Sequence, residues 1–297
     1  MILKERYCLE KRAGVCYTER VAVRLSVFIC QRGEKVLKKS GNIRPLSGCK
    51  ICGALEERGV RISLFEDIDS TNLEARRQAE RGMSAPALII ADSQSAGRGR
   101  LGRSFYSPSG TGLYMSLLLG AKDNPADNVQ LTAAAAVAAA RSIEELCGVR
   151  PKIKWVNDLY LGEKKICGIL CESFSCADGK RSVVIGIGVN LLTEDFPDEL
   201  RDIAASVMVK GVCKEALAAD ISGRMLDYYD SPTEHGIMEY YRANSAVIGK
   251  RVVFSEGEKS CYGVAESIDE VGRLTIKLDD NSLKILSSGE ISLKIDK

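Results

Sequence analysis

Ala91-Asp-Ser-Gln-Ser-Ala-Gly-Arg-Gly-Arg-Leu-Gly-Arg103 decides the reading of this chain, because it places three glycines and three arginines in one short loop between two apolar runs. Glycines let backbone N–H groups approach anionic oxygens closely, and alternating arginines add fixed charge and forked donors suited to carboxylate and phosphate. The loop therefore proposes a site for two anions held together. Within it, Gly97-Arg-Gly-Arg-Leu-Gly102 also fits the G-x-G-x-x-G pattern of dinucleotide-binding folds, which requires a strand before it and a helix opening at the loop. Residues 87–92 supply the strand, but Phe105-Tyr-Ser-Pro-Ser-Gly-Thr-Gly112 and a second apolar run at 112–119 follow. That context predicts another buried strand, and the dinucleotide reading fails.

Outward from the loop, residues 63–243 alternate runs rich in Ile, Val and Leu with helical segments. Ser70-Thr-Asn-Leu-Glu74 reads as the start of a helix that runs to Gly82. Residues 127–147 form the clearest helix, alanine-rich, with Leu131, Val137, Ile143 and Leu146 on an apolar stripe; it is a packing element. Strands are predicted at 153–156, 166–172 and 183–189, and a helix at 214–229. From residue 244 onward, short strands at 249–254, 261–265, 272–278, 284–286 and 290–293 are split by turn residues, the texture of a small SH3-like barrel.

At 297 residues, 45% of them hydrophobic, the chain can bury a real core in two or three domains. No apolar run approaches the ~20 residues of a membrane span, and Met1-Ile-Leu-Lys-Glu-Arg6 lacks a signal-peptide core, so a cytoplasmic enzyme with no membrane partner is expected. The cysteine count, eleven, is odd, and Cys167 and Cys171 lie inside apolar runs, which favours reduced thiols. Cys49-Lys-Ile-Cys52 has the spacing of half a zinc site, but no second Cys-x-x-Cys pair exists and His235 is the only histidine. Net charge is +2, yet the first 50 residues hold twelve Lys/Arg against four Asp/Glu, an asymmetry that permits a nucleic-acid-binding N-terminal module.

A second polar cluster is Lys154-Trp-Val-Asn-Asp158 with Lys165-Ile-Cys-Gly-Ile-Leu170, read as polar residues ending one strand and a lysine opening the next around a shared turn. Four blocks then stand in order: Ser70-Thr-Asn72, Gln94 to Arg103, this cluster, and Ile185-Gly-Ile-Gly-Val-Asn190, with Gly289-Glu-Ile-Ser-Leu-Lys294 as a fifth. Through them the chain resembles the biotin protein ligases over residues 65–295. Each block alone is weak; the combination is very specific. The resemblance implies an α+β fold: a class II synthetase-like biotin/lipoate ligase catalytic domain at 63–243, with a mixed sheet and flanking helices, and a C-terminal SH3-like β-barrel at 244–297. For residues 1–62 it implies a degenerate winged helix-turn-helix, the module carried by family members with a repressor function. Glu19-Arg-Val-Ala-Val-Arg-Leu-Ser-Val27 is similar to its first helix and turn. Phe28-Ile-Cys-Gln-Arg-Gly-Glu34 then puts apolar groups and Gly33 where a recognition helix should present polar side chains.

Such ligases join biotin to ATP as biotinyl-5′-AMP, release pyrophosphate, and pass biotin to a lysine of a carboxylase carrier domain. By the resemblance, Ser70, Thr71, Asn72 and Gln94 surround the ureido end of biotin, where hydroxyl and amide groups satisfy its N–H donors and carbonyl. Arg98, Gly99 and Arg100 belong to the activating loop, serving biotin together with Lys165 and Gly168. Arg100 and Lys165 are the candidate catalytic cations between carboxylate and α-phosphate, and Asp158 the candidate proton acceptor for the carrier lysine. Arg98, Arg100, Arg103, Asn157, Asp158, Lys165, Asn190 and Lys294 fall to ATP, whose phosphates would hold most of the Mg²⁺ shell. Val156 stands where the family has proline, Cys167 replaces a small residue, and Lys294 replaces an arginine, keeping charge without the planar fork. Homodimerisation by pairing of sheet edges is a further implication. The alternatives are a lipoate ligase of related fold and a DNA-binding regulator that senses a small molecule without catalysis.

Overall fold

The structure is a computed structural model that describes residues 50–121, 127–176, 179–232, 235–256, 259–287 and 291–293. Residues 1–49, which hold most of the expected winged-helix region, and Lys294 lie outside the described residues. In chain order the first part runs α1 (Lys50–Glu57), β1 (Arg61–Ile68), α2 (Thr71–Glu80), β2 (Ala87–Gln94), β3 (Gly112–Gly120) and α3 (Asp127–Cys147). There follow β4 (Lys152–Lys154), β5 (Asp158–Leu161), β6 (Lys164–Ser175), β7 (Arg181–Asn190), α4 (Asp198–Arg201), α5 (Lys214–Asp230) and α6 (Ile237–Ala243).

Seven of these strands form one sheet in the order β1-β2-β3-β7-β6-β5-β4. It is mixed: β1 and β2 are parallel, joined by a crossover through α2, and every other pair is antiparallel. The run Ala87-Leu-Ile-Ile90 shows why β2 lies inside. Side chains alternate across a strand, so Ala87 and Ile89 meet Ala75 and Ala79 of α2, while Leu88 and Ile90 join the main core with α3 and α5 on the other face. The alanines of α3 from Ala133 to Ala136 and Ala138 to Ala140 are all buried, their small side chains letting the helix lie close on the sheet. The C-terminal strands β8 (Arg251–Glu256), β9 (Lys259–Ile268), β10 (Leu274–Leu278), β11 (Leu283–Leu286) and β12 (Ile291–Leu293) form a five-stranded antiparallel sheet in the order β11-β10-β9-β8-β12.

Three features differ from the sequence reading. The strand predicted at 153–156 ends at Lys154, because Trp155 and Val156 turn the chain into β5. Leu55 and Val60, read as part of an N-terminal region, are buried in the same core as Leu88 and Val137. The short elements α1, β1, α4 and α6 carry too little periodicity to be read in advance.

Candidate active site

The glycine-arginine loop leaves β2 at Gln94 and folds back on itself. Gly99 N–H donates to Arg103 O at 2.7 Å and Phe105 N–H to Gly97 O at 2.8 Å, with Arg98 and Ser104 paired as a bridge. Leu101, at the exposed tip, sits at φ 54°, a left-handed conformation that costs a side-chain-bearing residue about 1–2 kcal/mol.

Under this loop lies an inner pocket whose wall is the start of α2. Gln94 Oε1 accepts from Thr71 N–H at 2.9 Å and from Thr71 Oγ1 at 3.1 Å, and Gln94 Nε2 donates to Ser107 Oγ at 2.9 Å. Ser116, fully buried in β3, places its hydroxyl 2.8 Å from Thr71 Oγ1 and 2.6 Å from Asn72 Oδ1. The floor is made by β7, whose Gly186 and Gly188 point to the same face because strand side chains repeat every second residue. A Cβ on Gly186 would fall 2.1 Å from Asn72 Oδ1, and one on Gly188 would fall 2.5 Å from the Phe105 ring. Both glycines are therefore required by close approach. Ser70, Thr71, Asn72, Gln94, Arg98, Gly99 and Gly168 line this pocket. Asp69, next to Ser70, binds Arg77 through two hydrogen bonds of 2.7 and 2.8 Å; that guanidinium, with Ser70 N–H at 2.7 Å, holds its carboxyl below the ordinary aspartate value.

An outer cavity adjoins the inner one, about 310 Å³ against about 50 Å³. Arg100, Phe105, Asn157 and Lys165 line both. Arg100 donates to Asn157 Oδ1 at 3.0 Å, and Asn157 Nδ2 donates to Ile169 O at 2.9 Å. Lys165 Nζ lies 2.7 Å from Asp158 Oδ1. The two lie on the arms of the hairpin that turns at 162–163, with the unforeseen strand β5 between Asp158 and the turn, and they meet across the β5–β6 ladder, where Asp158 pairs with Gly168 and Tyr160 with Lys165. Arg103, Asp158 and Asn190 line the outer cavity, Asn190 fixed through a 3.1 Å bond to Ala205 O. Its far wall includes Trp155 and Ile291, and Trp155 Nε1 donates to Gly272 O at 2.9 Å, tying the C-terminal sheet to the site. Cys167, between Lys165 and Gly168 in the chain, is buried; burial pushes its thiol up, so it packs as a small apolar group.

Residues 64–190 match the family model described as biotin/lipoate A/B protein ligase family, and residues 247–294 the model for the biotin protein ligase C terminal domain. A Bacillus subtilis protein named bifunctional ligase/repressor BirA is 34% identical over 266 residues, covering 87% of this chain and 82% of that protein. The chain belongs to the biotin/lipoate A/B protein ligase family. Another member, the biotin–[acetyl-CoA-carboxylase] ligase of Paracoccus denitrificans, is 32% identical over 220 residues, covering 70% of this chain and 91% of that protein. Among solved structures, the biotin protein ligase from Aquifex aeolicus in complex with biotin and ATP superposes with a TM-score of 0.67 at 27% identity, covering 80% of this chain and 99% of that one.

Every site residue expected for this family except Lys294 lines one or both cavities. Two residues of the site do not stand out in the sequence: Phe105, which lines both cavities, and Ser116, which holds Thr71 and Asn72 from behind. Ser116 stands alone among apolar neighbours in β3, and nothing in its local sequence sets it apart from a core serine. The glycine alternation in Ile185-Gly-Ile-Gly-Val-Asn190 did carry a signal, since two glycines on one strand face mark a close approach.

Proposed function

We propose that this family member is an ATP-dependent biotin protein ligase that forms biotinyl-5′-AMP and transfers biotin to a lysine of a carboxylase carrier domain. One observation carries the reading: Arg100 and Lys165 stand on the wall common to the two cavities. Biotin in the inner pocket would direct its carboxylate there, and ATP in the outer cavity its α-phosphate. A carboxylate oxygen attacks the α-phosphorus, the bond to the bridging oxygen of the β-phosphate breaks, and pyrophosphate leaves. Two anions must meet for this, and preplaced cations both screen their repulsion and stabilise the charge that develops.

Ser70, Thr71, Asn72 and Gln94 would hold the ureido group, and Gly168 would leave room for the stem of Lys165 beside it. Arg98 and Gly99 would cover the bound ligand and exclude water from the acyl-adenylate. Arg103, Asn157, Asp158 and Asn190 would face the nucleotide. Among the described residues no three His, Cys, Asp or Glu side chains converge, but Asp158 and the Asn190 side-chain carbonyl would offer oxygen donors to Mg²⁺, which ordinarily keeps phosphate and water in most positions. When bound, the ion would neutralise phosphate charge. In the second half-reaction the carrier lysine's amine attacks the acyl carbon, AMP leaves, and Asp158 would take the proton.

Incubation with biotin, labelled ATP and Mg²⁺ tests the reading: biotinyl-AMP should form and its acyl group should move to a biotin carrier domain. A parallel reaction with lipoate in place of biotin and a lipoyl acceptor serves as control, and preferential lipoylation would support a lipoate ligase instead. Homodimerisation through a sheet edge and a cytoplasmic location are further parts of this reading. The excess of basic residues in positions 1–50 supports salt-sensitive DNA binding without sequence preference. In a gel-shift titration at physiological salt, discrimination of ~10³-fold for its own upstream DNA would make the protein a repressor as well.

A further inference from the structure

Glu172 stands on β6, two residues past Leu170, and lines neither cavity. Its carboxylate nevertheless contacts both sides of the inner pocket. Oε2 accepts from Asn72 Nδ2 at 2.8 Å, and Oε1 lies 3.1 Å from Arg98 NH1. Asn72 belongs to the fixed wall, at the start of α2, whereas Arg98 belongs to the glycine-arginine loop above it.

The Asn72 amide has little freedom. Its oxygen lies 2.6 Å from Ser116 Oγ, over the space that Gly186 leaves by having no Cβ. Turning the amide over would set its oxygen against the Glu172 carboxylate, two acceptors with no proton between them. Leu170 O, 3.3 Å from the same Nδ2, opposes that flip as well, so Glu172 at 2.8 Å is the nearer of two acceptors that set which end of Asn72 faces which neighbour. The same carboxylate offers Arg98 an ionised partner, and a charge-assisted hydrogen bond is roughly twice as strong as a neutral one.

We propose that Glu172 is a positioning residue for biotin: it orients the Asn72 amide and holds the Arg98 end of the loop down over the inner pocket. The role rests on the ligase reading. The charge of Glu172 is what matters at Arg98, since a glutamine there can still accept from Asn72 but carries no counter-charge for the guanidinium.

The test compares full-length wild type with Glu172→Gln, Glu172→Ala and Glu172→Asp. Two properties are followed: kcat and KM for biotin, and the rate of tryptic cleavage after Arg98 and Arg100 in ligand-free protein, with the thermal midpoint as a check on folding. Glu172→Gln should raise KM for biotin about tenfold, with kcat within about twofold, and should speed cleavage of the loop at an unchanged midpoint. Glu172→Asp, which keeps the charge, should recover part of both. Wild-type KM and wild-type cleavage in Glu172→Gln would overturn the proposal, as would a loss that tracks a lowered midpoint in every variant. If the wild type shows no biotin activity, the ligase reading falls, while the cleavage rates still decide whether Glu172 holds the loop.

Discussion

Lys165 Nζ and Asp158 Oδ1 lie 2.7 Å apart across two strands rather than within one loop, so the cation at the junction of the two cavities is set by the register of the β5–β6 ladder. The irregularity in that ladder between Leu159 and Tyr160 is what offsets the two residues enough to meet. A strand-held cation is placed more rigidly than one on a loop, which suits a group whose task is to meet charge already in position.

Arg100→Ala and Lys165→Ala should each slow biotinyl-adenylate formation ~10²-fold or more, because each removes a preplaced cation from the reacting centre. Pyrophosphate release in single-turnover reactions measures this. Near-normal release from a properly folded variant would take that residue out of the chemistry.

Gln94→Ala should weaken biotin binding more than ATP binding. The variant loses the one oxygen that accepts from both Thr71 N–H and Thr71 Oγ1, so the pocket wall loosens on the biotin side only. Calorimetric titration with each ligand separately decides, and equal weakening would contradict the assignment.

Gly186→Ala should displace Asn72, destabilise the fold by about 1–3 kcal/mol through overpacking, and abolish measurable biotin binding. Gly53→Ala in α1 is the control. Nothing lies within 4 Å of a Cβ at that position, so this variant should be neutral or gain about 0.5–1 kcal/mol. Urea denaturation of both, with a biotin titration, compares them.

Acid should weaken the start of α2 through Asp69. Its folded-state pKa lies below the ordinary 3.8, so its contribution is present above that value and is lost as pH falls through the lower, folded one. Asp69→Asn should therefore be less stable than wild type at pH 7, and the gap should close toward pH 3. With the Arg77 and Asp69 side chains 36% and 40% exposed, the gap at pH 7 should be modest. Denaturation curves at the two pH values would show it; a gap that widens in acid would refute the assignment.

The long elements were legible because their patterns are local. The stripe of residues 127–147 needs only its own sequence to be read as a helix, and Gly112 to Leu119 only its own apolar run to be read as a strand. By contrast, β1 reads Arg-Ile-Ser-Leu-Phe-Glu-Asp-Ile and is half exposed, so neither period dominates it. The site residues were legible as blocks, and their chemistry followed from residue types. Their contacts were not. Asn72 meets Gly186 only because β3 and β7 pair Ser116 with Gly186, a register that no local stretch encodes. Glu172 looked like the polar end of a strand until the loop above it was in place.

The bond from Trp155 to Gly272 gives the small C-terminal sheet a second occupation. The turn that presents Gly272 is braced from within, Asp269 Oδ1 accepting from both Val271 and Arg273 N–H, so the indole is gripped by a stiff handle. Trp155 is a wall of the outer cavity, and a handle that shifts carries the wall with it. Variants selected for altered use of ATP should therefore map to residues 269–273 as well as to the arginine loop, although none of that turn lines the cavity. The spacing between the large sheet and its small companion would then set the width of the outer cavity.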